Sequence, residues 1–303
     1  MDKKEYIVSQ LARTKKKKYE QYVITRIISL LNDWDIKFVT QQYVTRPEGR
    51  ALTDLYFPQL GLHVEVNESQ HFRKNEFNVN EHIEEHKIRE ADIINATGHK
   101  IININASEEQ DFSGLNKEID AAVSKIKKLR NGQENFIPWD LEAEFNPQTY
   151  IDRGYLDIID DVKFRTIKDA CNCFGYNYAG FQRGYTLHPK EEKTALWFPW
   201  ISPIADTPPD KGDWDNQISN DEEIITTKHK TVQKINDDML LNISSLVVTN
   251  RIVFVKVRDN LGKTLYRFRG MYQLSNEDSK NRGVEIWKRI KTRVKTYSSV
   301  KSS

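Results

Sequence analysis

The chain has 303 residues, a length typical of two domains. Hydrophobic residues make up 38% of it and aromatic residues 11%, so the composition excludes a wholly disordered protein. No apolar stretch is long enough to span a bilayer, and the first residues lack the apolar core of a secretory signal. The two cysteines, Cys171 and Cys173, exclude a disulfide scaffold and a four-cysteine zinc site. We therefore expect a cytoplasmic protein.

Charge is informative in its distribution rather than in its sum. The 46 Lys and Arg residues nearly balance the 44 Asp and Glu residues, which leaves a net charge of +2. The lysines at 15–18 are consecutive, however, and residues from Lys288 to the end are basic with no acid among them. Such runs are either solvated surface or patches that face phosphates, and charge alone does not decide between the two.

The first half of the chain alternates between helical and extended patterns. Apolar residues at three- and four-residue spacing predict helices at both ends of it, and an uninterrupted segment before Gly98 predicts a third. The predicted elements are a helix at 19–31, strands at 36–44, 51–58 and 61–67, a helix at 79–96, a strand at 99–105 and a helix at 114–130. This order is typical of a small mixed sheet flanked by helices.

The second half is β-rich. Residues 133–148 contain two prolines and are interpreted as a linker between domains at 1–132 and 149–303. Residues 246–257 are dense in β-branched residues, and a strand with Tyr266, Phe268 and Tyr272 on one face follows. The segment 286–297 is expected to be one strand, with Ile290 on its apolar face and Lys291, Arg293 and Lys295 on a basic, phosphate-binding face. We expect an α+β protein whose second domain is a β-rich barrel.

Two carboxylates on consecutive predicted strands suggest a metal site. Asp54 and Glu65 are separated by a turn at Gly61, so a hairpin can place them side by side. Carboxylate and carbonyl oxygens are ligands suited to Mg²⁺, which in turn suits phosphodiester hydrolysis. Glu20 on the preceding helix can supply a third acid. The alternative is that Asp54 and Glu65 are surface residues of a half-exposed sheet and that Glu20 is a solvated charge on its helix.

The residues after Glu65 are also candidates for chemistry. His71 lies three residues past Glu68 and is placed for proton transfer or phosphate contact, although a structural histidine is equally compatible with the pattern. His82 and His86 have the spacing of a zinc-binding pair, but no HExxH motif is present. Asp54, Glu65 and Asn67 form a D-x10-E-x-N pattern, close to the PD-(D/E)xK signature of nucleases.

Residues 197–217 concentrate tryptophans beside amides. Trp214 and Asn216 lie in the polar run KGDWDNQ, where an aromatic ring can stack on a flipped base and an amide can read its edge. Trp197 can belong to the same base-binding site, or it can anchor the core of the second domain.

Several stretches of the chain, in this order, resemble modification-dependent restriction endonucleases of the AbaSI type. They are KKYEQYVITRIISLL, ALTDLYFPQLGLHVEVNESQH, DACNCFGY, WFPW, GDWDN, LYRFRG and VKTYSSVK. The resemblance implies a Vsr-like PD-(D/E)xK nuclease domain followed by an SRA-like domain that recognises hydroxymethylcytosine, often in glucosylated form. It also implies Asp54 and Glu65 as metal ligands, Glu20, Glu68 and His71 as further active-site residues, and Trp214 and Asn216 as pocket residues.

The implied function is a type IV-like, Mg²⁺-dependent endonuclease of bacterial phage defence, with Mn²⁺ as a substitute metal. Because one nuclease site cuts one strand, a double-strand break implies a homodimer. Asn67 and Gln70 depart from the family pattern, so a modified-DNA reader with an inactive nuclease domain is an alternative. A mismatch-type nicking endonuclease is another.

Overall fold

The computed structural model divides into two compact units, Met1–Leu141 and Glu142–Ser303. The boundary falls inside 133–148, and the role of that segment as a linker stays a prediction. No described helix is long and apolar enough to cross a membrane. The structure describes residues 1–14, 17–46, 49–68, 88–95, 97–107, 110–201, 214–229 and 248–299.

The first unit is a four-stranded sheet with helices packed against it. Its helices are α1 (Lys3–Leu11), α2 (Glu20–Leu31) and α3 (Phe112–Asn131), and residues 88–95 are also helical. Its strands are β1 (Val39–Arg46), β2 (Gly49–Phe57), β3 (Leu62–Asn67) and β4 (Lys100–Asn105). The strands follow one another across the sheet, antiparallel from β1 to β3, with β3 and β4 parallel.

One hydrophobic core joins α2 and α3 to the sheet. The apolar stripes that predicted both helices are buried here, together with Leu62, Val64 and Val66 of β3. Helix α1 was not predicted, although Asp2 and Glu5 form a capping box at its start. Strand β3 departs from the expected half-exposed pattern, because its first five residues are all buried. His63 and Glu65, on the second face of the strand, are buried, so that face is also covered.

The second unit is built mainly from short strands. Helix α4 (Leu141–Phe145) lies at the boundary between the two units. The helices of the second unit are α5 (Pro147–Arg153), α6 (Ile167–Asn172) and α7 (Asn276–Arg282). Its strands are β5 (Tyr155–Asp157), β6 (Lys163–Phe164), β7 (Tyr185–Leu187), β8 (Thr194–Trp197), β9 (Trp214–Ile218), β10 (Ile224–His229), β11 (Asn250–Arg258), β12 (Thr264–Leu274), β13 (Glu285–Lys291) and β14 (Arg293–Lys295).

The main sheet of the second unit is open. Its order is β7-β8-β11-β12-β13-β10-β9, with β6 paired to β12, and a separate ribbon pairs β14 with β5. The described strands therefore do not close into the predicted barrel. The predicted fold class, a mixed α/β unit followed by a β-rich unit, is confirmed. Among the described residues of the second unit, one hydrophobic cluster contains Phe254 and Phe268, and another contains Tyr272 and Trp287.

Two predictions about the C-terminal strands were wrong. Strand β12 carries one extra residue, Arg269, because Val253 of β11 pairs with Gly270 while Phe254 pairs with Phe268. This β-bulge, next to Gly270 at φ +99°, places Tyr272 and Phe268 in different clusters rather than on one face. The segment 286–297 is two strands in two sheets rather than one strand. Strand β13 ends at Lys291, and Ile290 is 44% exposed instead of facing the core.

Candidate functional site

The predicted acids converge in the first unit. Leu55 of β2 pairs with Val64 of β3, so Asp54 and Glu65 lie one residue further along their antiparallel strands. Both are buried, with relative exposures of 2% and 3%. Asp54 Oδ2 accepts a hydrogen bond of 2.8 Å from the main-chain nitrogen of Val66, which fixes its carboxylate beside β3. The alternative that these acids lie on a half-exposed surface is therefore excluded.

Gln41 connects a third acid to this pair. Its Nε2 donates to Glu20 Oε1 at 2.5 Å and to Asp54 Oδ1 at 3.3 Å. Glu20 is fully buried, and its second oxygen, Oε2, has no hydrogen-bond partner. Gln41 adopts a φ of +52°, a strained conformation for a residue other than glycine, and such strain is concentrated at functional sites. Sequence reasoning missed Gln41, because nothing in a β-strand pattern marks one glutamine among others.

Glu68 lies beside the acids but points to the backbone of α2. Its carboxylate accepts from the main-chain nitrogens of Lys18, Tyr19 and Glu20, at 3.0, 2.6 and 3.0 Å. Helix α2 has no cap from its own N-cap side chain, so Glu68 caps it from a distant part of the chain. The contact positions Glu20, which is the first residue of the helix.

Two cations balance part of the charge. Lys17 Nζ contacts both oxygens of Asp54, at 2.9 and 2.8 Å, and the main-chain oxygen of Val66 at 3.3 Å. Arg89 lies 3.4 Å from both oxygens of Glu65 and also donates to the main-chain oxygen of Leu52. The lysine run at 15–18 is visible in the sequence, but its charge leaves both solvated surface and a phosphate-facing patch open, and neither interpretation pairs Lys17 with Asp54.

The site holds more acid than these cations neutralise. Burial, and then the charge of Asp54, raise the pKa of Glu20 to about 7 and hold the pKa of Glu65 well above its usual range. The carboxylate oxygens of Asp54 and Glu65 are donors of the kind that Mg²⁺ prefers, and so is the main-chain oxygen of Val66, which accepts from the ammonium of Lys17. The donor set therefore fits a divalent cation. No cluster of three or more His, Cys, Asp or Glu side chains suited to a metal occurs in the described part of the chain.

The remaining residues that the sequence analysis singled out in the first unit contact residues other than the buried acids or lie outside the described residues. His71, Gln70, His82 and His86 lie outside the described residues. Asn67 Nδ2 donates to Asn103 Oδ1 at 3.4 Å, toward β4.

A second histidine pair lies within this unit. His63 Nε2 is 3.1 Å from His99 Nδ1, and both rings stack with Tyr56. Burial and the neighbouring His99 lower the pKa of His63 to about 4, so this histidine is neutral at physiological pH.

The predicted base-binding residues share one face of the main sheet in the second unit. Ile218 belongs to the cluster with Tyr272 and Trp287, and Asn216 and Trp214 share its face of β9 because side chains alternate along a strand. Trp214 is 50% exposed. Asn216 Nδ2 donates to the main-chain oxygen of Trp200 at 3.2 Å, while its Oδ1 is buried and has no partner. A stacking surface and an available acceptor therefore lie two residues apart.

Trp197 packs against the same cluster with a different partner. The guanidinium of Arg251 lies 4.5 Å from the Trp197 ring centroid and 3.8 Å from that of Trp287. Arg251 also pairs with the buried Glu285 at 3.5 Å. One face of Trp197 is thus occupied by a protein cation, which favours a supporting role for this ring.

The predicted phosphate-binding residues lie along the end of β13 and in β14. Lys291 and Arg293 border an open groove of about 360 Å³. Arg293 stacks on Tyr155 and binds Asp157 at 2.8 Å, but its side chain is 60% exposed. Lys291 and Lys295 are exposed. Arg289 pairs with Glu223 and is largely buried, so it is not available to DNA in the same way.

Comparisons with known proteins match both units. Residues 4–127 match the profile described as "Restriction endonuclease PvuRts1 I-like, N-terminal", and residues 149–296 match the "SET and RING associated domain", SRA. Among solved structures, the chain is similar to one titled "The 5-Hydroxymethylcytosine-Specific Restriction Enzyme AbaSI". The two are 40% identical, the match covers 98% of each chain, and the TM-score is 0.74. No curated protein sequence gives a significant match.

Proposed function

Because the chain belongs to the AbaSI-type family of modified-cytosine-dependent restriction endonucleases, we propose that it recognises hydroxymethylcytosine or glucosyl-hydroxymethylcytosine in double-stranded DNA by base flipping. It then hydrolyses phosphodiester bonds at a distance from that base. The observation that carries the proposal is the buried group of acids at Asp54, Glu65, Glu20 and Glu68, whose four carboxyl groups outnumber the two cations, Lys17 and Arg89.

In this mechanism Asp54, Glu65 and the Val66 carbonyl would hold a divalent metal, Mg²⁺ or in its place Mn²⁺. When bound, such a cation would supply an activated water and positive charge beside the phosphate. Gln41 holds Glu20 and Asp54 in fixed positions, and the unpaired Oε2 of Glu20 is an acceptor available to an attacking water. Glu68 acts as a positioning residue, because it anchors the first turn of α2. His71 stays a proposed auxiliary residue.

The second unit supplies the targeting. Trp214 presents an exposed ring for stacking on the flipped base, which contributes about 1–3 kcal/mol in single-strand complexes. Asn216 Oδ1 is a buried acceptor suited to the exocyclic amine of cytosine. Trp197 supports this face through Arg251. Lys291, Arg293 and Lys295 contact DNA phosphates, and a homodimer places two nuclease sites on opposite strands.

Substitution of the acids tests the chemical part of the proposal. Asp54→Ala and Glu65→Ala should each abolish cleavage of modified DNA while binding to it, measured without metal, stays within about twofold of the wild-type protein. Asp120→Ala removes an exposed carboxylate of α3 and is the matched control that should cleave normally. Wild-type turnover in either acid variant would place the nuclease site elsewhere.

A further inference from the structure

Three polar side chains form a row across the main sheet of the second unit. Thr227 of β10 is the register partner of Asn216 on β9 and of Glu285 on β13. Directly paired residues point to the same face, about 5 Å apart. That face is the one of Ile225 and Trp287, each two residues from a member of the row. The row therefore runs from the buried Glu285 to Asn216, beside the exposed Trp214.

Thr227 has an unsatisfied hydroxyl at the centre of this row. The residue is 3% exposed, and its Oγ1 is buried with no hydrogen-bond partner. Glu285 accepts from Trp287 Nε1 at 2.9 Å and pairs with Arg251 at 3.5 Å, both through Oε2, and no hydrogen bond joins it to the Thr227 hydroxyl. A buried polar atom without a partner is uncommon in a folded protein and calls for a ligand or another specific cause.

The next position in the row has the same property. Asn216 Oδ1 is likewise buried without a partner. Two neighbouring unsatisfied atoms, one an acceptor and the other both donor and acceptor, define a site for a ligand with two adjacent polar groups. On a hydroxymethylated cytosine, the exocyclic amine at C4 and the hydroxyl on the C5 substituent are such a pair.

We propose that Thr227 recognises the hydroxyl-bearing substituent at C5 of the flipped cytosine, by a hydrogen bond to Thr227 Oγ1, while Asn216 Oδ1 accepts from the amine. This inference rests on the proposed function of the second unit. Cytosine and methylcytosine offer nothing polar at C5, so they leave the buried Thr227 hydroxyl unpaired. A site built to hydrogen-bond a substrate hydroxyl discriminates strongly against an analogue that lacks it.

The test is equilibrium binding of the full-length protein, by fluorescence anisotropy in EDTA, to short duplexes carrying one cytosine, methylcytosine or hydroxymethylcytosine. Thr227→Val keeps the β-branched shape and removes the hydroxyl. It should reduce the preference for hydroxymethylcytosine over methylcytosine by about tenfold or more, with affinity for methylcytosine unchanged or higher. Thr227→Ser retains the hydroxyl and should retain the preference. Thr226→Val, on the opposite face of β10, is the matched control.

The outcomes separate this inference from the function on which it rests. If the wild-type protein prefers neither hydroxymethylcytosine nor, on a fourth duplex, glucosyl-hydroxymethylcytosine over cytosine, the proposed function itself fails. A preference for the glucosylated base alone would overturn the inference about Thr227. If the wild-type protein has the hydroxymethylcytosine preference and Thr227→Val keeps it in full, the inference about Thr227 is wrong and the proposed function stands. If Thr227→Val does not fold, Thr227→Ser and Thr227→Ala take its place. A loss of the hydroxymethylcytosine preference in Thr227→Ser overturns the inference. If Thr227→Ser keeps the preference and Thr227→Ala loses it, the inference is supported.

Discussion

Replacing Glu68 by Ala removes the acceptor at the start of helix α2. Glu68 is 7% exposed, and its carboxylate accepts hydrogen bonds from three main-chain amides, those of Lys18, Tyr19 and Glu20. A lost helix cap costs about 1–2 kcal/mol, and a hydrogen bond to a charged group contributes about 1.5–3 kcal/mol. Since water can replace part of these contacts once the side chain is gone, we expect a local loss of about 3 kcal/mol.

Hydrogen exchange at these amides measures that loss directly. A change of about 3 kcal/mol corresponds to roughly a hundredfold change in an opening equilibrium, so peptides that contain residues 18–20 should exchange about a hundredfold faster in Glu68→Ala. Glu68→Gln keeps a neutral acceptor oxygen and should lose only about 1 kcal/mol, or fivefold to tenfold. Peptides of the second unit serve as the internal control, because Glu68 lies in the first unit.

The result that would refute this reasoning is unchanged exchange at residues 18–20 together with lost cleavage. Glu68 would then act at the reacting groups rather than by anchoring α2. Faster exchange with a proportionate fall in cleavage supports the positioning role, because Glu20 begins the helix that Glu68 caps.

Three further predictions concern single positions. Lys17→Met removes the ammonium that binds both oxygens of Asp54. The affinity of the protein for Ca²⁺, measured by calorimetry in the absence of DNA, should therefore rise about tenfold. An unchanged affinity would show that Lys17 does not compete with the cation for the Asp54 carboxylate. Gly270→Ala places a Cβ 2.4 Å from the main-chain oxygen of Lys291 at a φ of +99°, and should lower the free energy of unfolding of the second unit in urea by about 3 kcal/mol or more. Gly262 has a φ of +77° with open space around it, so the control variant Gly262→Ala should lower that free energy by only about 1–2 kcal/mol. Equal losses of unfolding free energy in the two variants would exclude the steric explanation. Burial raises the pKa of the Cys171 thiol to about 12, so this thiol should stay unreactive toward Ellman's reagent at pH 8 until the protein unfolds. The pKa of this thiol is higher in the folded protein than in the unfolded chain. The stability that the protonated thiol contributes is therefore present below about pH 8.5 and is lost as pH rises toward 12. Rapid labelling in the native state would contradict that burial.

The sequence predicted those elements whose patterns are local. Helix α2 was expected at 19–31 and begins at Glu20, and the strand expected at 61–67 is Leu62–Asn67. Their apolar residues at helical or alternating spacing face a single core, so periodicity alone identifies them. The proximity of Asp54 and Glu65 followed from the same patterns, because a tight turn fixes which residues of two antiparallel strands meet.

Features that depend on distant contacts were not predictable in this way. The cap that Glu68 places on α2 and the bridge that Gln41 forms between Glu20 and Asp54 join residues far apart in sequence. The bulge at Arg269, next to Gly270, moved Tyr272 to the other face, because one inserted residue reverses the alternation that follows it. The predicted barrel required strand closure, which depends on the whole set of pairings rather than on any one strand.

Cleavage of defined DNA tests the central claim most directly. Plasmids or long duplexes that contain cytosine, hydroxymethylcytosine or glucosyl-hydroxymethylcytosine are incubated with the full-length protein, with and without Mg²⁺. We expect double-strand cleavage only of modified DNA and only with the metal. Equal cleavage of plain DNA would contradict modification dependence. Tight binding to modified DNA without cleavage in Mg²⁺ or Mn²⁺ would show a reader rather than a nuclease, and nicks without double-strand breaks would favour a nicking endonuclease.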